Sequence, residues 1–166
     1  MANEAYTRTN QALFFARKAI ESWQQAESSN ALDALTQALY HREHAVFHLY
    51  RGALALIHEV ADRYRWPLVD ARQVEAVLVP SVVQRFPGPE LAELTELADS
   101  NGTWLAGVIG AWQRLQAPPV PADSGAQSLI ASSAVATTEW SGSDAQEALQ
   151  ALSERVATYR DGMQEW

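Results

Sequence analysis

The stretch NALDALTQALYHREHAVFHLYRGALALIHEVADRYR, from Asn30 to Arg65, contains no proline and no strong break. Within it Leu35, Leu39, Arg42, Val46, Leu49, Ala53, Leu56 and Val60 recur in alternating steps of four and three, which is the spacing of one face of an α-helix. At ~1.5 Å per residue such a helix exceeds about 50 Å, long enough to be the spine of the fold. Trp66-Pro67 ends it, because the residue before a proline is pushed out of the α region. Arg42 stands on the seam where an apolar residue is expected. An unpaired buried cation costs several kcal/mol, so Arg42 should meet a carboxylate or carbonyl oxygens, and a polar seam residue can fix helix register.

Outward from this spine the same rhythm recurs. Residues 4–26 place Tyr6, Thr9, Leu13, Ala16, Ile20 and Trp23 on one stripe, with Phe14 and Phe15 outside it; either the buried face is wide or these rings meet a second neighbour. Residues 70–86 suit a short helix or, at Val77-Leu78-Val79, a strand, and Pro80 must end or restart the element. From Pro89, Leu91, Leu94, Leu97, Ala98, Leu105, Val108, Ile109, Trp112 and Leu115 keep one phase across Asn101-Gly102, which predicts a single kinked helix. A Pro-rich loop follows at 117–126, and residues 127–140 fit a loop, a short helix or an extended segment. Ser143 and Gln146 form a capping box with Trp140 as a staple. The last helix carries Ala145, Leu149, Leu152, Val156, Tyr159, Met163 and Trp166, so the terminus should be docked. The expectation is an all-α bundle of four long helices plus one short ambiguous segment.

At 166 residues this is the length of a single domain, 1–166, and 48% apolar with 19% charged residues excludes intrinsic disorder. No apolar run approaches the ~20 residues of a membrane span. With no cysteine there is no disulfide, thiolate metal site or Cys nucleophile. The N-terminus has neither the basic start nor the apolar run of a secretory signal, so a cytoplasmic location is expected. The net charge of −8 disfavours a broad nucleic-acid surface. That charge is uneven: residues 1–72 hold eight basic and eight acidic residues, residues 73–166 four and twelve. A local anion-facing strip is therefore open to the first part, whereas a basic partner suits the second.

All four histidines lie on the predicted spine, and His41, His44 and His48 fall within a 60° arc. His44 and His48, at i, i+4, have the spacing to share a divalent ion such as zinc, with a carboxylate from another helix needed to complete the site. The same face holds Arg51, Glu59 and Asp62, and is most simply a solvated polar face. There is no His-Glu-x-x-His motif, Gly-rich phosphate loop or Gly-x-Ser-x-Gly elbow. Glu90, Glu93 and Glu96 read as solvated acids at a helix start, where the macrodipole favours them. Trp104 to Trp112 is an apolar run in which Gly107 and Gly110 permit close backbone approach, for internal packing or for a partner.

Arg42 and His48, five residues apart, resemble the Arg-x(4 to 6)-His signature of the HEPN superfamily, helical proteins that include metal-independent ribonucleases. That resemblance implies His48 as the catalytic group and Arg42 as a stabiliser of phosphate charge, with two chains building one site. Glu43 departs from the polar or amide residue usual after the arginine, and Arg42 and His48 leave an ideal helix about 120° apart. Over the whole chain, Asn3-Glu-Ala-Tyr-Thr-Arg-Thr-Asn10, Arg42-Glu-His-Ala-Val-Phe-His-Leu-Tyr50, Leu56-Ile-His-Glu59 and Tyr159-Arg-Asp-Gly-Met-Gln-Glu-Trp166 resemble a small bacterial family of pseudomonads and related gammaproteobacteria, classed as a domain of unknown function. It implies a cytoplasmic helical protein and carries no assigned activity. The reading that follows is a non-enzymatic protein acting through protein contacts, with a protein partner or a homodimer, no membrane and no cofactor. An HEPN-like ribonuclease or its inactive relative, using Arg42 and His48, and a zinc-binding histidine face are the alternatives.

Overall fold

The computed structural model describes residues 2–118 and 140–164. Seven helices are present among them: α1 Ala2–Glu27, α2 Ala34–Tyr64, α3 Val74–Val77, α4 Pro80–Arg85, α5 Pro89–Asp99, α6 Trp104–Gln116 and α7 Gly142–Gln164. No strand occurs among the described residues, so the all-α class holds. Most of the Pro-rich stretch, the segment 127–139 and the docking of Trp166 lie outside those residues.

The helices α1 and α2 pack antiparallel over nearly their whole length, in a register marked by Arg51 donating to Gln11 Oε1 and by the Phe15 and His48 rings 5.2 Å apart. Helix α7 runs parallel to α2, as the successive pairs Arg42 with Trp140, Glu59 with Arg160 and Arg63 with Met163 show. The fully buried side chains Ile20, Leu49, Leu56, Ile57, Leu91, Leu105 and Leu152 come from five of the helices and form one core. Gly52 lets α2 approach α7 and α1 closely: a Cβ there would lie 2.9 Å from Leu152 Cδ2 and 3.6 Å from Ala12 Cβ.

Two local expectations are corrected, and two open alternatives are resolved. The predicted kinked helix is two helices, because Gly102 takes φ +84° and Thr103 caps α6 by accepting from Ala106 N at 3.2 Å. Preserved hydrophobic phase therefore outlived the break in the backbone. Of the two forms expected for residues 70–86 the helical one holds, as the short helices α3 and α4, and Pro80 restarts the chain at the first turn of α4, where its missing N–H is harmless. The cap of α7 is Ser141 with Asp144, two residues before the predicted box. Ser141 N and Oγ donate to Asp144 Oδ2 at 2.7 and 2.8 Å, and Asp144 N returns a bond to Ser141 Oγ at 3.3 Å. Finally, Phe14 and Phe15 do not widen the buried face; Phe15 instead meets the His48 ring of α2.

Candidate interaction surface

The seam of α2 divides into two parts. Val46, Leu49, Ala53, Leu56 and Val60 are buried as the spacing predicts, covered by α1, α6 and α7. Nearer the α1–α2 turn the same seam emerges into solvent: Leu39 is 50% exposed, Leu35 77%, and Leu32 is bare. Leu35 and Leu39 edge a groove of about 460 Å³ between the two helices, floored by Trp23 and walled by Trp140. Those indoles stand 6.0 Å apart, tilted by 32°.

Arg42 sits at the groove edge, half-buried, and its Nε donates to the Trp140 carbonyl at 3.1 Å. The carbonyl partner foreseen for a seam arginine is thus present. Glu43 is exposed on the opposite flank of the leucine strip. Trp104 and Trp112 are half-buried, and Trp112 stacks on Tyr50 at 4.6 Å. Gly107 faces Trp140, whose Nε1 would lie 3.5 Å from an added Cβ, an ordinary contact that alanine would also make. Gly110 meets only Arg114 of its own helix. Neither glycine is required by a helix crossing.

The histidine face lies on the other side of α2. His41 and His44 have ring centroids 6.3 Å apart, as do His44 and His48, and Tyr40 packs over His44 at 4.2 Å. With Phe15 and Lys18 of α1 they line a shallow cleft of about 290 Å³. No group of three or more metal-ligating side chains is gathered among the described residues. His48 packs between Phe15 and Phe47, whereas Arg42 turns to Trp140, so the two residues of the phosphate reading are not brought together.

Part of the expected polar face is in fact core. Glu59 is buried, because Arg160 of α7 clasps it with Nε to Oε1 at 2.7 Å and Nη2 to Oε2 at 3.0 Å. Arg160 also donates to Asn10 Oδ1 at 2.9 Å and lies over the Tyr6 ring at 3.8 Å. The acids of α5 are likewise not simply solvated. Glu90 is buried and accepts from Tyr64 at 3.0 Å, while Glu93 accepts from Tyr159 at 3.1 Å and pairs with Arg155. Periodicity along one helix carries no sign of such partners, which arrive from helices distant in the chain.

One family model matches residues 1–166, that of a family of unknown function, DUF6586. The chain belongs to this family. No curated protein and no solved structure matches the DUF6586 chain. No described helix of it is long and apolar enough to cross a membrane.

Burial holds two of the DUF6586 histidines neutral. His58 is pushed below its ordinary value chiefly by desolvation, helped by Arg8 and Arg72, although its Nε2–H donates to the Ala71 carbonyl at 2.9 Å. His48 is lowered by desolvation and then by Arg51 and His44, and its Nδ1 has no hydrogen-bond partner. A folded value below the unfolded one, about 6.5, means that stability is complete above that pH and is lost as pH falls towards the folded value. Urea midpoints should fall between pH 7 and pH 5, and His58→Gln should flatten that slope; an unchanged slope would show that His58 does not contribute to it.

Proposed function

We propose that this chain is a non-enzymatic, cytoplasmic helical protein that acts through protein contacts made by the α1–α2 hairpin end. One observation carries this reading: the apolar seam that builds the core continues, in the same rhythm, onto the surface at Leu39 and Leu35, and the exposed Leu32 follows in the turn. A contiguous apolar strip beside a groove is a feature of contact surfaces, whereas scattered single apolar residues are ordinary.

The absence of native cysteine makes the test clean. A single thiol introduced by Leu35→Cys should react with a bulky maleimide at nearly the rate of a free thiol. The thiol of Leu49→Cys, in the buried part of the same seam, reacts only through opening of the fold and should be slower by roughly a hundredfold or more. Leu35→Asp with Leu39→Asp should leave folding stability within about 1 kcal/mol, as for surface positions. Equal protection of the two thiols in the monomer would sink the reading, because the strip would then be core.

A further inference from the structure

We infer that the partner of this groove is a basic amphipathic helix from another protein, a statement that rests on the contact reading above and adds the partner's chemistry. Leu35 and Leu39, one turn apart on α2, form a short apolar strip that apolar residues of a helix laid along it can match, with Leu32 exposed in the turn just beyond. The groove between Trp23, Ala38 and Trp140 is wide enough for large aliphatic anchors, since small alanines at 26, 34 and 38 leave its walls low.

Charge selects among occupants. Glu27 lines the groove, Asp33 adjoins Leu32 at the turn, and Glu43 flanks the leucine strip; all three are exposed. Against them stands Arg42, already donating to the Trp140 carbonyl. The rim therefore carries an acidic excess within a chain of net charge −8. A second copy would set the same acidic rim against itself, at a cost that like charges impose on an interface. The chain's own residues 119–139 contain no Lys or Arg and add Asp123 and Glu139. A helix with Lys or Arg beside its apolar stripe satisfies both the groove and the rim.

Two synthetic amphipathic helices with the same leucine stripe, one flanked by lysines and one by glutamates, test this against the full chain by fluorescence anisotropy. The lysine helix should bind more tightly by roughly tenfold or more, weaken as salt is raised, and lose binding with Leu35→Asp plus Leu39→Asp. Glu27→Gln with Glu43→Gln should weaken it by roughly tenfold while leaving the fold intact. Equal affinity for the two helices, or no binding of either, overturns the proposal, as does wild-type dimerisation in light scattering that the Asp pair abolishes. Thiol reactivity of the Leu35→Cys variant separates the two failures. A reactive thiol with no preference for the lysine helix removes only the partner's chemistry, whereas a protected thiol in the monomer removes the contact surface as well.

Discussion

Arg160→Ala should destabilise the protein by about 3–5 kcal/mol, the cost of leaving a buried charge without its partner. The side chains of Arg160 and Glu59 are only 18% and 10% exposed, and the pair is bidentate, so water cannot take over when the guanidinium is removed. The loss extends beyond one ion pair, because the same guanidinium bonds Asn10 and covers Tyr6 of α1. It thereby holds three helices at one level. With an m-value of about 2 kcal/mol/M in urea, the midpoint should fall by roughly 2 M. Glu59→Ala should have a similar effect. Replacing both residues together by leucine should restore much of the loss, since buried ion pairs are often exchangeable for apolar packing although half of one is not tolerated. Single variants that cost less than about 1 kcal/mol would mean that solvent reaches the pair.

Leu152→Ala should cost about 2–5 kcal/mol, and the background decides where in that range it falls. Leu152 is fully buried, and its Cδ2 occupies the space that a methyl group at Gly52 would need. In the wild type, Gly52→Ala gains about 1 kcal/mol of helix propensity and loses a similar amount to overpacking, leaving little net change. Once Leu152 is shortened the clash disappears, and the new methyl fills part of the void. The double variant should therefore be more stable than the sum of the single effects by about 1 kcal/mol or more in a denaturation cycle. Strict additivity would show that Leu152 already turns away from Gly52.

Helix class and the spine follow directly from spacing, because burial of one face imposes a period that residues 34–64 obey. The same argument marks Arg42 as a residue needing an oxygen partner, and Trp140 supplies one. Three things escape it. A continuous phase cannot reveal a turn of about one helical period, so α5 and α6 read as one element until Gly102 is seen with positive φ. The end of helical cover is also invisible, since Leu35 and Leu49 occupy equivalent seam positions and differ only in what the rest of the chain lays over them. Polar burial at Glu59 and Glu90 depends on Arg160 and Tyr64 arriving from elsewhere, which the spacing along α2 and α5 alone does not show.

The parallel pairing of α2 with α7 has a kinetic consequence. Its hydrogen bonds join residues about a hundred positions apart, whereas the α1–α2 hairpin closes through a turn of a few residues. Closing the short loop costs less chain entropy than closing the long one, so the hairpin should assemble first and α7 should dock onto it afterwards. Interactions of a late-docking element are largely absent from the folding transition state. Weakening them should leave the folding rate nearly unchanged and accelerate unfolding, so Arg160 should govern how long the native bundle persists more than how quickly it forms.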